Sequence, residues 1–248
     1  MAKQRGALTL EGSLGNITFY KSKHGYLAKE KSIISGERQA VDPAYQRTRE
    51  NNEEFGKASR ASKLLRGMCS GFSVSMVDDR LRARLMKSLV AIIRMDIVNQ
   101  RGKRIIQDEH AVLLEGFDFN VNASLNMVLQ APFRVEMDRG MGAVSLTIPS
   151  FDPQEMLNRP KGATHSRLVM GGATVDFIGQ QHSTVKNSSG YLSYNAETGM
   201  QQFGVRLPAG SAHPVFVAFG VEFYQEVNRG YYSLKDGEYN SLAIVKVG

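Results

Sequence analysis

Residues 215–224 read VFVAFGVEFY. This is the longest of a series of strand-like segments, and it assigns the second half of the chain to β-structure. Apolar and polar residues alternate in Phe117–Val121, Phe133–Met137 and Val144–Ile148, and strand-like text continues in Leu168–Met170, Val175–Phe177 and Phe203–Leu207. Leu242–Val247 closes the series. A period of two is what a strand needs to show one face to a core and the other to water. Turn signals stand between the segments at Arg139-Gly140, Gly171-Gly172, Ser189-Gly190, Asn228-Arg229-Gly230 and Asp236-Gly237. Many short strands without a helical interruption predict an antiparallel β-sandwich over residues 105–248, immunoglobulin- or fibronectin-like in kind. Pro149, Pro153 and Pro160 mark an irregular loop between Ile148 and Arg167, with a short helical turn expected at 153–157.

Upstream the pattern turns helical. Asp42-Pro43 pairs a capping side chain with a proline at the first helical position. The stretch that follows holds Phe55, Ala58, Ala61, Leu65 and Met68 at helical spacing. A second helix is predicted from Asp78 to about Val98, with Ser75 as cap and Asp78 completing a capping box. Its apolar stripe is Leu81, Leu85, Leu89, Ile92 and Ile93. Joined through residues 69–77, the two helices make an αα-hairpin over residues 37–104. Arg80, Lys87, Arg94 and Arg101 recur every seven residues with Arg84 beside them, so a basic stripe follows another face.

Residues 1–36 form a third part. GALTLEGSLGNITFYKSKHGYLAKEK (residues 6–31) sets Leu8, Leu10, Ile17 and Phe19 among glycines, and gathers Lys21, Lys23 and Lys29 around a turn at Lys23-His24-Gly25. This reads as two or three short strands with a basic tip. A ribbon of that size is marginal alone and needs something to pack on. The fold class is therefore α+β, mostly β: an N-terminal β-ribbon arm, a basic helical hairpin and a β-sandwich.

With 248 residues, 42% apolar and 22% charged, the chain has material for a sizeable core and is not a disordered one. Its net charge of +7 is unevenly spread. Residues 1–104 hold 21 Lys and Arg against 10 Asp and Glu, and residues 105–248 hold 10 against 14. Halves of opposite sign attract each other within a molecule or between neighbours, and a basic half attracts nucleic acid. The single cysteine, Cys69, excludes an internal disulfide and reads as a buried thiol in a reducing compartment. No run approaches the ~20 apolar residues that span a bilayer, and no signal-peptide pattern follows the basic start. A cytoplasmic protein without a membrane partner is expected.

Catalytic signatures are missing. His24, His110, His165, His182 and His213 are isolated in sequence, without the spacing a zinc site needs. There is no G-x-S-x-G elbow and no P-loop. The acidic groups Glu53-Glu54, Asp78-Asp79 and Asp108-Glu109-His110 read as structural. No catalytic residue, cofactor, metal or small-molecule substrate is assigned, and a non-enzymatic protein is expected.

GSLGNITFYKSKHGYLAKEK (12–31), DPAYQRTRENNEEFGKASRASKLLR (42–66), FVAFGVEFYQEVN (216–228) and YNSLAIVKV (239–247) together resemble an uncharacterised bacterial protein family. A glycine-rich hairpin followed by a Pro- and Arg-containing helix is also similar to small phage- or prophage-derived proteins. The resemblance implies a structural protein that assembles with copies of itself as a homo-oligomer. Gly12, Gly15, Phe19, Tyr20 and Tyr26 are the candidate assembly residues, with the ribbon adding to or lying against a sandwich. The alternative partner is nucleic acid, met by Lys21, Lys23, Arg47, Arg49, Arg80, Arg84, Lys87 and Arg94.

Overall fold

The computed structural model describes residues 2–5, 8–31, 36–70, 78 and 80–248, with residues 235 and 236 described by backbone alone. The chain divides into two compact units, 1–50 and 51–248. In the first, β1 (Ala2–Lys3), β2 (Gly12–Leu14), β3 (Ile17–Ser22) and β4 (Gly25–Glu30) form an antiparallel sheet in the order β1-β4-β3-β2. Gly15, at φ +55°, turns the chain from β2 into β3, a conformation that costs a side chain dearly. A helix α1 (Gly36–Val41) follows. Arg49 pins it, donating to the carbonyls of Gln39 and Asp42 at 2.9 Å each. Asp42 caps a 3₁₀ turn at Pro43–Tyr45 by accepting from the Ala44 N–H, with Pro43 in the first turn as its sequence predicts.

Helix α2 (Gln46–Met68) starts from that turn, and the division between the units falls inside it. In the second unit α3 spans Leu81–Arg94, shorter at both ends than the predicted 78–98. Asp78 precedes it and accepts from the Arg80 N–H and the Arg84 guanidinium. The predicted Ser75 cap and residues 71–77 of the connection lie outside the described residues. Beyond α3 the chain returns to the start of α2. Gly102 N–H donates to Glu54, and Lys57 donates to the Gly102 and Arg104 carbonyls. The two helices therefore run in opposite directions.

Short helices α4 (Asp108–Ala111) and α5 (Leu125–Val128) lead into β5 (Arg134–Asp138) and β6 (Ala143–Ile148). A turn of helix α6 (Pro153–Met156) stands where the prolines predict one, with Asp152 capping the Gln154 N–H. The remaining strands are β7 (His165–Asp176), β8 (Gln181–Ser188), β9 (Leu192–Ser193), β10 (Gln201–Arg206), β11 (Val215–Val227), β12 (Gly230–Ser233) and β13 (Ser241–Val247). They pair as two antiparallel sheets. One is β10-β6-β5; the other has β7 and β11 at its centre, with β8 and β9 sharing one side and β12 and β13 the other.

This unit has three layers. One face of β7, β11 and β13, through Val169, Ala173, Phe216, Ala218, Leu242 and Ile244, packs on the helices through Ala58, Leu65, Met68, Leu85, Leu89 and Ile93. Its other face, through Leu168, Met170, Val217, Phe219, Val221 and Phe223, packs on Val144, Leu146, Ile148, Phe203 and Val205 of the three-stranded sheet. The apolar run Val215–Val221 of β11 follows, because a strand covered on both faces has no side to give to water. The helices thus share a core with the sandwich.

Three local readings are corrected. Gly171-Gly172 is not a turn but the middle of β7, where a Cβ on Gly172 would stand 2.8 Å from Val205 Cγ2 of the other sheet. Phe117–Val121 is not a full strand. Phe119 N–H and Phe117 C=O bond to Leu242 and Ile244 of β13, with a lone bridge at Asp118. Phe55, placed in the apolar stripe of α2, is 59% exposed, while Ala58, Ala61, Leu65 and Met68 are buried. Among the described residues no helix is long and apolar enough to cross a membrane.

Candidate functional site

Register decides what the small sheet of residues 1–50 presents. Phe19 stands opposite Gly12 and Ala28, Ile17 opposite Leu14 and Glu30, and Lys21 opposite Tyr26, while Ala28 also faces Ala2. Directly paired residues share a face. One face therefore carries Ala2, Leu14, Ile17, Phe19, Tyr26 and Ala28, with Lys21 and Glu30 on it. The other carries Ser13, Thr18, Tyr20, Leu27 and Lys29. Leu14 is 72% and Ile17 45% exposed, and no described residue of this unit is buried. Of the five predicted assembly residues, Gly12, Phe19 and Tyr26 share the apolar face and Tyr20 lies on the opposite one, while Gly15 sits in the turn. The lysines lean on the tyrosines, Lys21 Nζ 5.5 Å from the Tyr26 ring centre and Lys29 Nζ 5.6 Å from that of Tyr20.

The predicted basic residues separate into two groups. Arg49 is engaged with backbone carbonyls, and Arg47 lies 3.9 Å from Glu50. Arg84 pairs with Asp78 and rests 5.0 Å over the Phe117 ring. Burial raises the Asp78 carboxyl, but the Arg84 side chain and the Arg80 and Val121 amides outweigh it and hold it below its usual range. Lys21, Lys23, Arg80, Lys87 and Arg94 are exposed.

Lys87 and Arg94, joined by Arg82, edge an open groove of about 900 Å³ between α2 and α3. Phe55 and Ser59 form one wall, and Ala83, Met86, Val90 and Ala91 form the other. The sequence does carry a signal for it. On α3, Ala83, Val90 and Ala91 border the stripe that enters the core, and Met86, itself a core residue, is shared between the core and the groove. A smaller cavity of about 160 Å³ lies between Lys57, Arg60, Ile106 and Phe177. Its lysine is already satisfied by two carbonyls, at 2.8 and 3.1 Å.

A third surface joins residues far apart in sequence. Tyr191 and Tyr231 stack with ring centres 3.9 Å apart; Tyr224 meets Tyr191 edge-on at 4.9 Å, and His165 meets Tyr231 at the same distance. Arg167 sits over Tyr191, 5.8 Å from its centre. Tyr191 and Tyr231 thus use their faces on each other and on these neighbours, which makes the column a brace for the end of the sheet. Elsewhere, the Cys69 thiol is buried and donates to the Leu65 carbonyl, and burial pushes it far above its usual range. Among the described residues no group of three or more His, Cys, Asp or Glu side chains converges.

The geometry defines a layered α+β protein with two exposed apolar surfaces, one on a small sheet and one between helices. The chain matches no protein-family model, no curated protein and no solved structure.

Proposed function

We propose that this is a non-enzymatic structural protein that associates with copies of itself, using the apolar face of its N-terminal sheet. The observation that supports this reading is a four-stranded sheet without a single buried residue among those described. Two- and three-layer packing is what normally stabilises a sheet, and this one has Leu14, Ile17 and Phe19 aligned for a cover. Burying such a side chain fully is worth about 1.5–3 kcal/mol, so a few of them outweigh the ordering cost of a contact of modest size. The uneven charge, basic before residue 105 and acidic after it, supplies orientation between neighbours.

The test is light scattering on the full-length chain and on a Leu14→Lys, Ile17→Lys double variant. The unaltered protein is expected above its single-chain mass of 27.4 kDa, and the variant to move toward it. Equal masses for the two would remove the sheet from the contact. The exposure of Lys21, Lys23, Arg80, Lys87 and Arg94 favours a second reading, nucleic-acid binding. A gel shift titrated with salt decides it, since phosphate contacts release counterions and weaken steeply.

A further inference from the structure

The groove between α2 and α3 has an apolar floor and a basic rim, and the same unit carries a shape of the opposite kind. Helix α4 and the 3₁₀ turn Val112–Leu114 that continues it read DEHAVLL. Ala111 and Leu114 anchor this segment, at 0% and 1% exposure, in the core that the helices share with the sheet. Its outward side carries Val112 and Leu113, 45% and 55% exposed, and Glu109, whose side chain is 74% exposed. Residues three and four apart on a helical turn lie side by side, so the segment offers an apolar tip flanked by carboxylates. The groove offers Phe55, Val90 and Ala91 between Arg82, Lys87 and Arg94.

We infer that the α2–α3 groove of one copy receives the Glu109–Leu113 tip of a second copy. This rests on the self-association proposed above and gives it a second contact, independent of the small sheet. Groove and tip are fixed to one core, so they cannot fold onto each other within a copy. Because two different surfaces meet, the contact is head-to-tail, and it extends into a ring or a filament. Val112 and Leu113 fill the floor while Glu109 and Asp108 meet the guanidinium and ammonium groups of the rim. The charge imbalance between residues 1–104 and 105–248 has the same sense as this contact. Like-with-like docking, groove on groove, would bring cations together.

The experiment uses full-length protein carrying Leu14→Lys and Ile17→Lys, which silences the small sheet, so that only the second contact is read. Sedimentation velocity over a concentration series is expected to show association in this background. Adding Ala91→Glu to the groove, or Leu113→Lys to the tip, is expected to weaken it about tenfold or more in apparent Kd. Both positions are exposed, and an unchanged Tm certifies that each variant is folded. Mixing the two variants one to one is expected to restore a dimer and nothing larger, because only one intact groove and one intact tip remain. Undiminished association of either variant, or a mixture that stays monomeric, would overturn the contact. If the background protein is monomeric while the unaltered chain associates, the small sheet is confirmed and the groove is not. If Ala91→Glu abolishes retardation of an oligonucleotide but leaves association intact, the groove takes nucleic acid and the inference is overturned.

Discussion

A Cβ placed on Gly220 in β11 would stand 2.0 Å from the Ser241 carbonyl oxygen and 2.9 Å from the Leu242 Cα. Those are backbone atoms of the neighbouring strand, and they cannot retreat without opening the sheet. On Gly172 the same atom would meet the Val205 Cγ2 at 2.8 Å and the Leu207 Cδ1 at 3.3 Å, side-chain ends that can give. Overpacking costs about 1–3 kcal/mol when neighbours adjust only in part. Gly220→Ala is therefore expected to lose about 3 kcal/mol or more and Gly172→Ala about 1 kcal/mol, near the two ends of that range. Urea titration of both measures this, and equal losses would refute the distinction. A glycine required by close approach looks the same in sequence as one required by a turn, which is why Gly171-Gly172 reads as a strand break. Tyr191, Tyr224 and Tyr231 were illegible as a group for a related reason. They come from separate segments, and only the pairing of β9 with β7, of β7 with β11 and of β11 with β12 brings them into one column.

At the scale of elements, the segment after α3 depends on one carboxylate. Asp96 is wholly buried and accepts from the amides of Val98, Asn99 and Ile105, each at 3.0 Å, and from the side chains of Asn99 and Gln107. Burial alone would raise its pKa, but the Asn99 amide and side chain and the Ile105 and Val98 amides outweigh it and hold the group well below the carboxylate range. A carboxyl depressed in the folded state stabilises the fold above its unfolded pKa of about 4, and that stabilisation fades as pH falls toward the folded value. Thermal melts are expected to show Asp96→Asn lowering Tm at neutral pH and flattening the fall in Tm below about pH 4. A variant with the unaltered acid profile would show that another group governs it. The sequence places Asp96 in the last turn of a predicted helix and gives no sign of its role, since its five donors are scattered over residues 98–107. The strands differ in legibility for an equally physical reason. β5, β6 and β10 keep an outer face in water and so alternate cleanly. β8 (QHSTVKNS) has no buried residue and no apolar pattern to announce it. The sheet of residues 1–50 was readable because its hairpin is local, but which side chains share a face depends on register.

For the whole molecule, the contrast between the units is one of protection. Residues 51–248 enclose two apolar cores on a common central sheet, so its hydrogen bonds open only when both cores are breached. Residues 1–50 enclose none among those described. Hydrogen exchange is expected to be slow at β7 and β11, near the limit set by global unfolding, and far faster at β3 and β4. Raising the protein concentration is expected to slow exchange at β3 and β4 as the apolar face is covered. Exchange there that is slow and independent of concentration would mean the sheet is stable without a cover.

The part β13 takes in the helix-facing core has a consequence for how the protein is made. Leu242, Ile244 and Val247 are part of the surface on which Leu85, Leu89 and their neighbours on α2 and α3 complete their packing, yet they are translated after both helices and after β7 and β11. During synthesis the helices are left with part of their apolar side uncovered until β13 arrives, and contacts so distant along the chain form slowly. The interval between them is the time in which a nascent copy is exposed to its neighbours and to chaperones. A stop codon just ahead of Ser241 would make that exposure permanent.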